Sequence, residues 1–307
     1  MKYFTLKISV LISALMFVLP AFSQITLQYN LKKGEIFKQN MVTNMDIVQK
    51  IMDQEMKINL TVGMKATFEV KAVNGDSYTL EMKYKEIKMS TTMPGMGNLS
   101  FDSNTPENIA TQLNMGPMLK AIIDKPVESV ITKTGKVESV KGFEKIKEAM
   151  FNSLDRSMPE QTKQMMVAQL GSQYSEESFK AFFAQNLSYF PEKPINTGNS
   201  WDVKITSTIS NFSMNINTKM TLRSIEGNVV VLDMDGIVST PEEAEQEMNE
   251  IKAKVSLKGI QKGTIKVNKN NGWIISSEIT HKFNGDIESM GMKVPIFATT
   301  TTSITED

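Results

Sequence analysis

The 307-residue sequence has no cysteine, one histidine and two arginines. Without cysteine there can be no disulfide, no thiolate metal site and no lipid carried on a cysteine, so packing alone holds the fold. A lone histidine, His281, removes multi-histidine metal centres, and no serine stands out as its partner for nucleophilic catalysis. His281 shares the parity of Ile279 and Phe283, which predicts a hydrogen-bonded histidine on an apolar face. Arg156 and Arg223 are the only arginines and 34 acids balance the basic residues, so a nucleic-acid-binding face is excluded. Gly95-Met96-Gly97 lacks the length and the strand-to-helix context of a phosphate loop.

Long apolar runs are scarce too, apart from the start. Lys2 and Lys7 precede the apolar run Ile8 to Leu19, and Pro20-Ala21-Phe22-Ser23 follows it. That order predicts a signal peptide over residues 1–23, cleaved before Gln24 and leaving an exported, periplasmic or secreted chain. The run is shorter than the ~20 residues that span a bilayer, and no later segment is apolar enough to cross as a helix.

Period-two patterning is abundant. Between Met56 and Ala72 nine apolar residues (Met56, Ile58, Leu60, Val62, Met64, Ala66, Phe68, Val70, Ala72) alternate with eight that are polar, charged or glycine. Such alternation predicts a strand with one buried face and one wet face, and 17 residues at about 3.3 Å each would reach ~56 Å. A strand that long implies a large curved antiparallel sheet, with Gly63 on the wet face letting it bend. Asn74-Gly75 marks a hairpin, and the return strand changes parity between Tyr84 and Ile87, which predicts a bulge near Lys85-Glu86. The preceding Ile36 to Gln49 is extended but weakly patterned. Further turns are expected at Gly135, Gly227 and Gly272.

Helical spacing is concentrated between Gly142 and Phe190. Phe143, Ile146, Met150 and Leu154 share one face, as do Met165, Met166 and Leu170, and then Phe179, Phe182, Phe183 and Leu187. Thr105-Pro106-Glu107 and Thr240-Pro241-Glu242 each have the form of a helix start, and Gly116-Pro117 is expected to divide the first insertion.

The strand-rich regions follow one order. Gly34 stands three residues before Phe37 as Gly198 does before Trp201, Gly75 corresponds to Gly227, Pro106 to Pro241 and Gly135 to Gly272. This suggests a duplicated unit: residues 24–140 as a first sheet unit with a helical insertion, 141–192 as a helical block, and 193–307 as a second sheet unit. The expected fold class is α+β, a large curved antiparallel sheet resembling a half-barrel with helices on one side.

Carboxylate chemistry has little footing. Asp53 with Glu55, and Glu242, Glu243, Glu245 and Glu247, are the densest acidic groups, and both stand where turns and helix starts attract acids. A copper(I) site on some of the 23 methionines is set against core filling, since most share the apolar parity. Methionine also suits surfaces that accept varied apolar partners.

The Leu27 to Phe37 opening and the Asn74-Gly75-Asp76-Ser77-Tyr78 hairpin resemble a family of uncharacterised exported proteins of Bacteroidetes-type bacteria. Many of its members carry a lipid-anchor cysteine that this chain lacks. The layout also resembles half-barrel periplasmic lipoprotein and lipid carriers, in architecture only. The expectation is therefore a non-enzymatic cell-envelope protein without cofactor or metal. It would hold a lipid or other hydrophobic molecule against Met56, Ile58, Leu60, Val62, Met64 and Phe68, with Phe179, Phe182 and Phe183 opposite. The alternatives are a structural or partner-binding protein with a filled core, and a hydrolase with a carboxylate site.

Overall fold

Among the described residues, alternation is realised in thirteen antiparallel strands of a single sheet. They are β1 (Ile36–Ile51), β2 (Gln54–Asn74), β3 (Ser77–Met93), β4 (Gly97–Asp102), β5 (Val127–Thr132), β6 (Val137–Lys141) and β7 (Ser200–Ile209). After them come β8 (Phe212–Glu226), β9 (Val229–Ser239), β10 (Glu245–Met248), β11 (Ile251–Asn268), β12 (Ile274–Ser289) and β13 (Met292–Glu306). The structure is a computed structural model that describes residues 24–51, 54–95, 97–105, 115–154, 159–164, 174–209, 212–241, 245–248, 251–289 and 292–307. The leader predicted over residues 1–23 lies outside them, as do Met165, Met166 and Leu170.

The strand order is β6-β5-β3-β2-β1-β13-β12-β11-β9-β8-β7, with β4 on β3 and β10 on β11. Each half is a meander, β6-β5-β3-β2-β1 and β12-β11-β9-β8-β7, and the two are joined not through the β6–β7 connection but at the centre. There β13 lies between β12 and β1 and joins the two halves. Lys65 pairs with Glu86 and Ala66 with Tyr84, so Lys85 is the extra residue of a bulge, where the parity change placed it.

The expected α+β class is overturned, because the chain is nearly all β. Three helices are complete within the described residues: α1 (Met115–Ala121), α2 (Phe143–Asn152) and α3 (Glu176–Leu187). The helix start expected at Pro241 leads instead to β10, a hairpin arm whose register sets Glu245 opposite Lys254 and Glu247 opposite Lys252. Gly116 and Pro117 do not divide the first insertion but sit in the first turn of α1. Proline fits there because its missing N–H has no intrahelical partner to lose.

The halves repeat one another in backbone detail. Gly34 N–H donates to Val70 O (2.8 Å) and Val70 N–H to Glu35 O (2.9 Å). In the second half Gly198 N–H donates to Leu222 O (2.7 Å) and Leu222 N–H to Asn199 O (3.0 Å). Further on, Lys133 N–H donates to Asp76 O (2.9 Å), as Lys269 N–H does to Asn228 O (2.8 Å). The N-terminal segment threads between these turns: Tyr29 N–H donates to Lys133 O (2.7 Å) and Asn30 N–H to Asn271 O (3.0 Å).

At that end of the sheet the core is aromatic. Trp273, 1% exposed, stacks on Phe37 with centroids 4.2 Å apart and meets Phe68 edge-on at 5.4 Å. Tyr29 packs edge-on against Phe190 at 5.0 Å. Burying such rings supplies the largest apolar areas a side chain can contribute.

Candidate functional site

α3 begins where Ser175 caps it, its hydroxyl accepting from Ser178 N–H at 3.1 Å, with Glu176 and Glu177 in the first turn. Both features favour a helix start through the unpaired N–H groups and the dipole. Hydrogen bonds to its backbone and to Ser175 hold the Glu177 carboxyl below its usual range. The helix buries Phe179, Ala181, Phe183 and Leu187. It packs against both β6 and β7, the two edges of the sheet. Just past its end, Ser188 Oγ donates to Gly135 O (2.6 Å) in the first half. Tyr189 O accepts from Trp201 Nε1 (3.0 Å) in the second. One helix thus closes the gap between the edges, protecting strands that would otherwise be open to pairing.

Beneath the helix lies a cavity of about 250 Å³. Eight consecutive strands of the sheet line it, from β2 at Met64 to β7 at Val203 and Ile205. Laid flat, eight strands would be roughly 34 Å wide at about 4.8 Å spacing. That all reach one small cavity requires the sheet to curl round it. Glycines on the concave side accommodate the bend. A Cβ added at Gly263 would lie 2.5 Å from Glu278 O, and one at Gly236 2.9 Å from Asn217 O. At Gly63, on the convex side, it would meet only Lys88 Cβ at 3.8 Å.

The cavity wall is apolar with a polar stripe. Met41, Met64, Met220 and Met234 face it together with Ile216 and Ile279. Across them run Thr43, Thr218, Gln261, His281 and Thr302. Thr43 and Thr302 share a hydrogen bond of 3.1 Å between their hydroxyls. His281 Nε2 lies 3.0 Å from Gln261 Oε1, and Gln261 Nε2 donates to Met234 Sδ at 3.0 Å. Burial pushes the His281 pKa down, so the ring is neutral at pH 7. Phe283 stacks against it with centroids 5.7 Å apart.

Of the residues expected from the sequence to meet a ligand, the structure brings Met64 and Phe182 to this cavity. Met56, Ile58, Leu60 and Val62 lie further along the concave side of β2, half-buried. Phe68 is buried against Trp273. Phe179 and Phe183 are buried in the core cluster under the helix. The polar stripe escaped the sequence reading apart from His281, although each member is a polar residue at apolar strand parity. Among the acidic groups, Glu55 is exposed and Asp53, Glu242 and Glu243 fall outside the described residues. No cluster of three or more His, Asp or Glu that could hold a metal occurs among the described residues.

A second hollow, about 860 Å³ and open to solvent, runs between α3 and β7. Lys136, Lys180, Lys193, Lys204, Glu177, Glu192 and Asp202 border it with both signs of charge.

Comparisons with known proteins leave the activity unassigned. Lipovitellin, in a structure described by its lipid–protein interactions, is 7% identical with a TM-score of 0.49. The match covers 91% of this chain and 25% of that one, so the chain spans about a quarter of lipovitellin's length. An outer membrane channel from Pseudomonas putida F1 is 7% identical over 91% of this chain and 97% of its own, with a TM-score of 0.25. The β domain of the Bordetella autotransporter Brka is 5% identical over 87% and 98%, again at 0.25. Likenesses this distant carry no argument about function. On β2 the convex positions Lys57, Asn59, Thr61 and Lys71 are exposed, whereas on β9, β11 and β13 the apolar Ile237, Ile260 and Phe297 are exposed. No curated protein matches the chain. Residues 75–274 match a family described as of unknown function (DUF6263), and the chain belongs to that family.

Proposed function

We propose that the protein is a non-catalytic component of the cell envelope that holds a lipid or other hydrophobic molecule against the concave face of its sheet. The observation that carries this reading is the cavity enclosed by eight strands and α3, whose apolar wall runs on as half-buried Met45, Ile58, Leu60 and Val62. Ligand pockets are concave and mostly apolar with a few placed polar groups, and this one has that make-up. The cavity is small for a whole lipid, so the chain of such a ligand would lie along the continuing apolar face. Export, and the kinship with envelope proteins of Bacteroidetes-type bacteria, belong to the same proposal. Export rests on Lys2, Lys7, the run Ile8 to Leu19 and the Ala21 and Ser23 positions, and the kinship on the Leu27 to Phe37 opening and the Asn74-Gly75-Asp76-Ser77-Tyr78 hairpin.

Native mass spectrometry of the purified protein, with solvent extraction, tests this directly. A bound lipid recovered in near-stoichiometric amount, and displacement of an apolar dye by added lipid, are the expected results. If extraction recovers no lipid and dyes do not bind, the reading is wrong.

A further inference from the structure

Among the described residues, no side chain lining the cavity is charged. This distinguishes it from a fatty-acid site, where a cation commonly meets the carboxylate, and from a site for a cationic head, where acids or an aromatic cage are needed. Burying an unpaired charge there is strongly disfavoured. The wall is nonetheless not uniformly apolar. Gln261 is 4% exposed and Thr218 likewise 4% exposed, and both face the cavity. Buried polar side chains are costly unless they are hydrogen-bonded, so a stripe of them in an apolar wall needs an account.

The geometry defines what the stripe can offer. Gln261 Oε1 only accepts, so the bond to His281 places the ring proton on Nε2 and leaves Nδ1 as an acceptor. Gln261 uses one amide hydrogen on Met234 Sδ and has a second to give. Thr43 and Thr302 share one bond between two hydroxyls, which leaves one hydroxyl hydrogen and further lone pairs. Donors and acceptors thus coexist, all neutral, on one side of an enclosed space. The inward-facing Gly236, paired with Gln261 across β9 and β11, carries no side chain of its own beside the amide.

We propose that the cavity seats the uncharged, hydroxyl- or amide-bearing head of an amphiphile, held by His281 and Gln261, while its chain lies along the half-buried face of β1 and β2. This rests on the hydrophobic-ligand reading and narrows it to a class: neutral head, single apolar tail or fused apolar body. A carboxylate would face the His281 and threonine lone pairs without a cation, and a quaternary ammonium would find no acid.

The test uses three probes of one chain length: a monoacylglycerol, the ionised fatty acid and the alkyltrimethylammonium. Each displaces an apolar dye from the purified full chain at pH 8. The monoacylglycerol should bind about tenfold tighter than either charged probe, the equivalent of one or two net hydrogen bonds. His281→Phe should reduce that preference to about twofold, because it keeps the ring against Phe283 and removes the acceptor. Gln261→Met, close in volume, should do the same and stands in should His281→Phe fail to fold. If the dye binds but the three heads are not distinguished, or the fatty acid is preferred, the neutral-head assignment falls and the hydrophobic reading stands. If neither dye nor any probe binds, both fall.

Discussion

Gly135 abuts Tyr29 so closely that a Cβ at Gly135 would lie 2.9 Å from the tyrosine ring and still nearer the Leu187 carbonyl. The glycine also has φ +85°, the left-handed region that side chains disfavour. Gly135→Ala should therefore cost about 2–5 kcal/mol, adding left-handed strain to overpacking. Gly75→Ala is its control, with φ +60° but open space around it, and should cost only about 1–2 kcal/mol. Urea midpoints of the two variants compare them. Equal losses would mean the contact with Tyr29 and Leu187 is not the constraint.

Trp273 is wholly buried, yet its Nε1 has no hydrogen-bond partner. Trp273→Ala should cost about 3–5 kcal/mol through the cavity left beside Phe37 and Phe68. Trp273→Phe removes an unsatisfied donor as well as volume, and should cost less than half as much. Thermal unfolding followed by far-ultraviolet circular dichroism measures both.

His281 sets a pH dependence. Its folded-state pKa is depressed by burial, so the unfolded chain takes up the proton first as pH falls. Stability is unaffected above the unfolded value of about 6.5, and is lost as pH drops below it. The slope cannot exceed about 1.4 kcal/mol per pH unit for one proton. The fall in melting temperature between pH 7 and pH 5 should be shallower in His281→Gln than in the wild type. Parallel profiles would remove His281 as the cause.

Ser277 is 6% exposed, and its hydroxyl is buried without a partner. Ser277→Ala deletes a desolvated group with almost no change of shape, so it should be neutral or stabilising by up to about 1 kcal/mol. A destabilised variant would mean the hydroxyl is satisfied.

Where apolar residues kept to one parity, strands were legible from the residues alone. β2 is one case, and the bulge at Lys85 was visible because Tyr84 and Ile87 could not otherwise share a face. β1 was harder for a physical reason. Its concave side carries Gln39, 5% exposed, and Thr43, so polar residues occupy the positions that alternation assigns to the core. β13 carries Val294, Ile296 and Ala298 at one parity but Thr300 and Thr302 at the same parity further on, although the strand runs to Glu306. The stripe that marks the candidate site is what blurred the strands bearing it. Thr240-Pro241-Glu242 misled in the other direction, since a helix-start signature says nothing of the partner strand that captures Glu245–Met248.

β13 follows every other strand in the chain yet occupies the middle of the sheet. During synthesis the meanders β1–β6 and β7–β12 can each zip up from local hairpins, but β1 and β12 must wait with bare edges until residue 292 onward has emerged. Those edges are 16 residues long apiece, and exposed strands of that length recruit other chains. Deleting β13 would therefore not merely trim the fold: it would strand two sticky half-sheets and divert the protein to aggregation. β13 is the strand that turns two sheets into one.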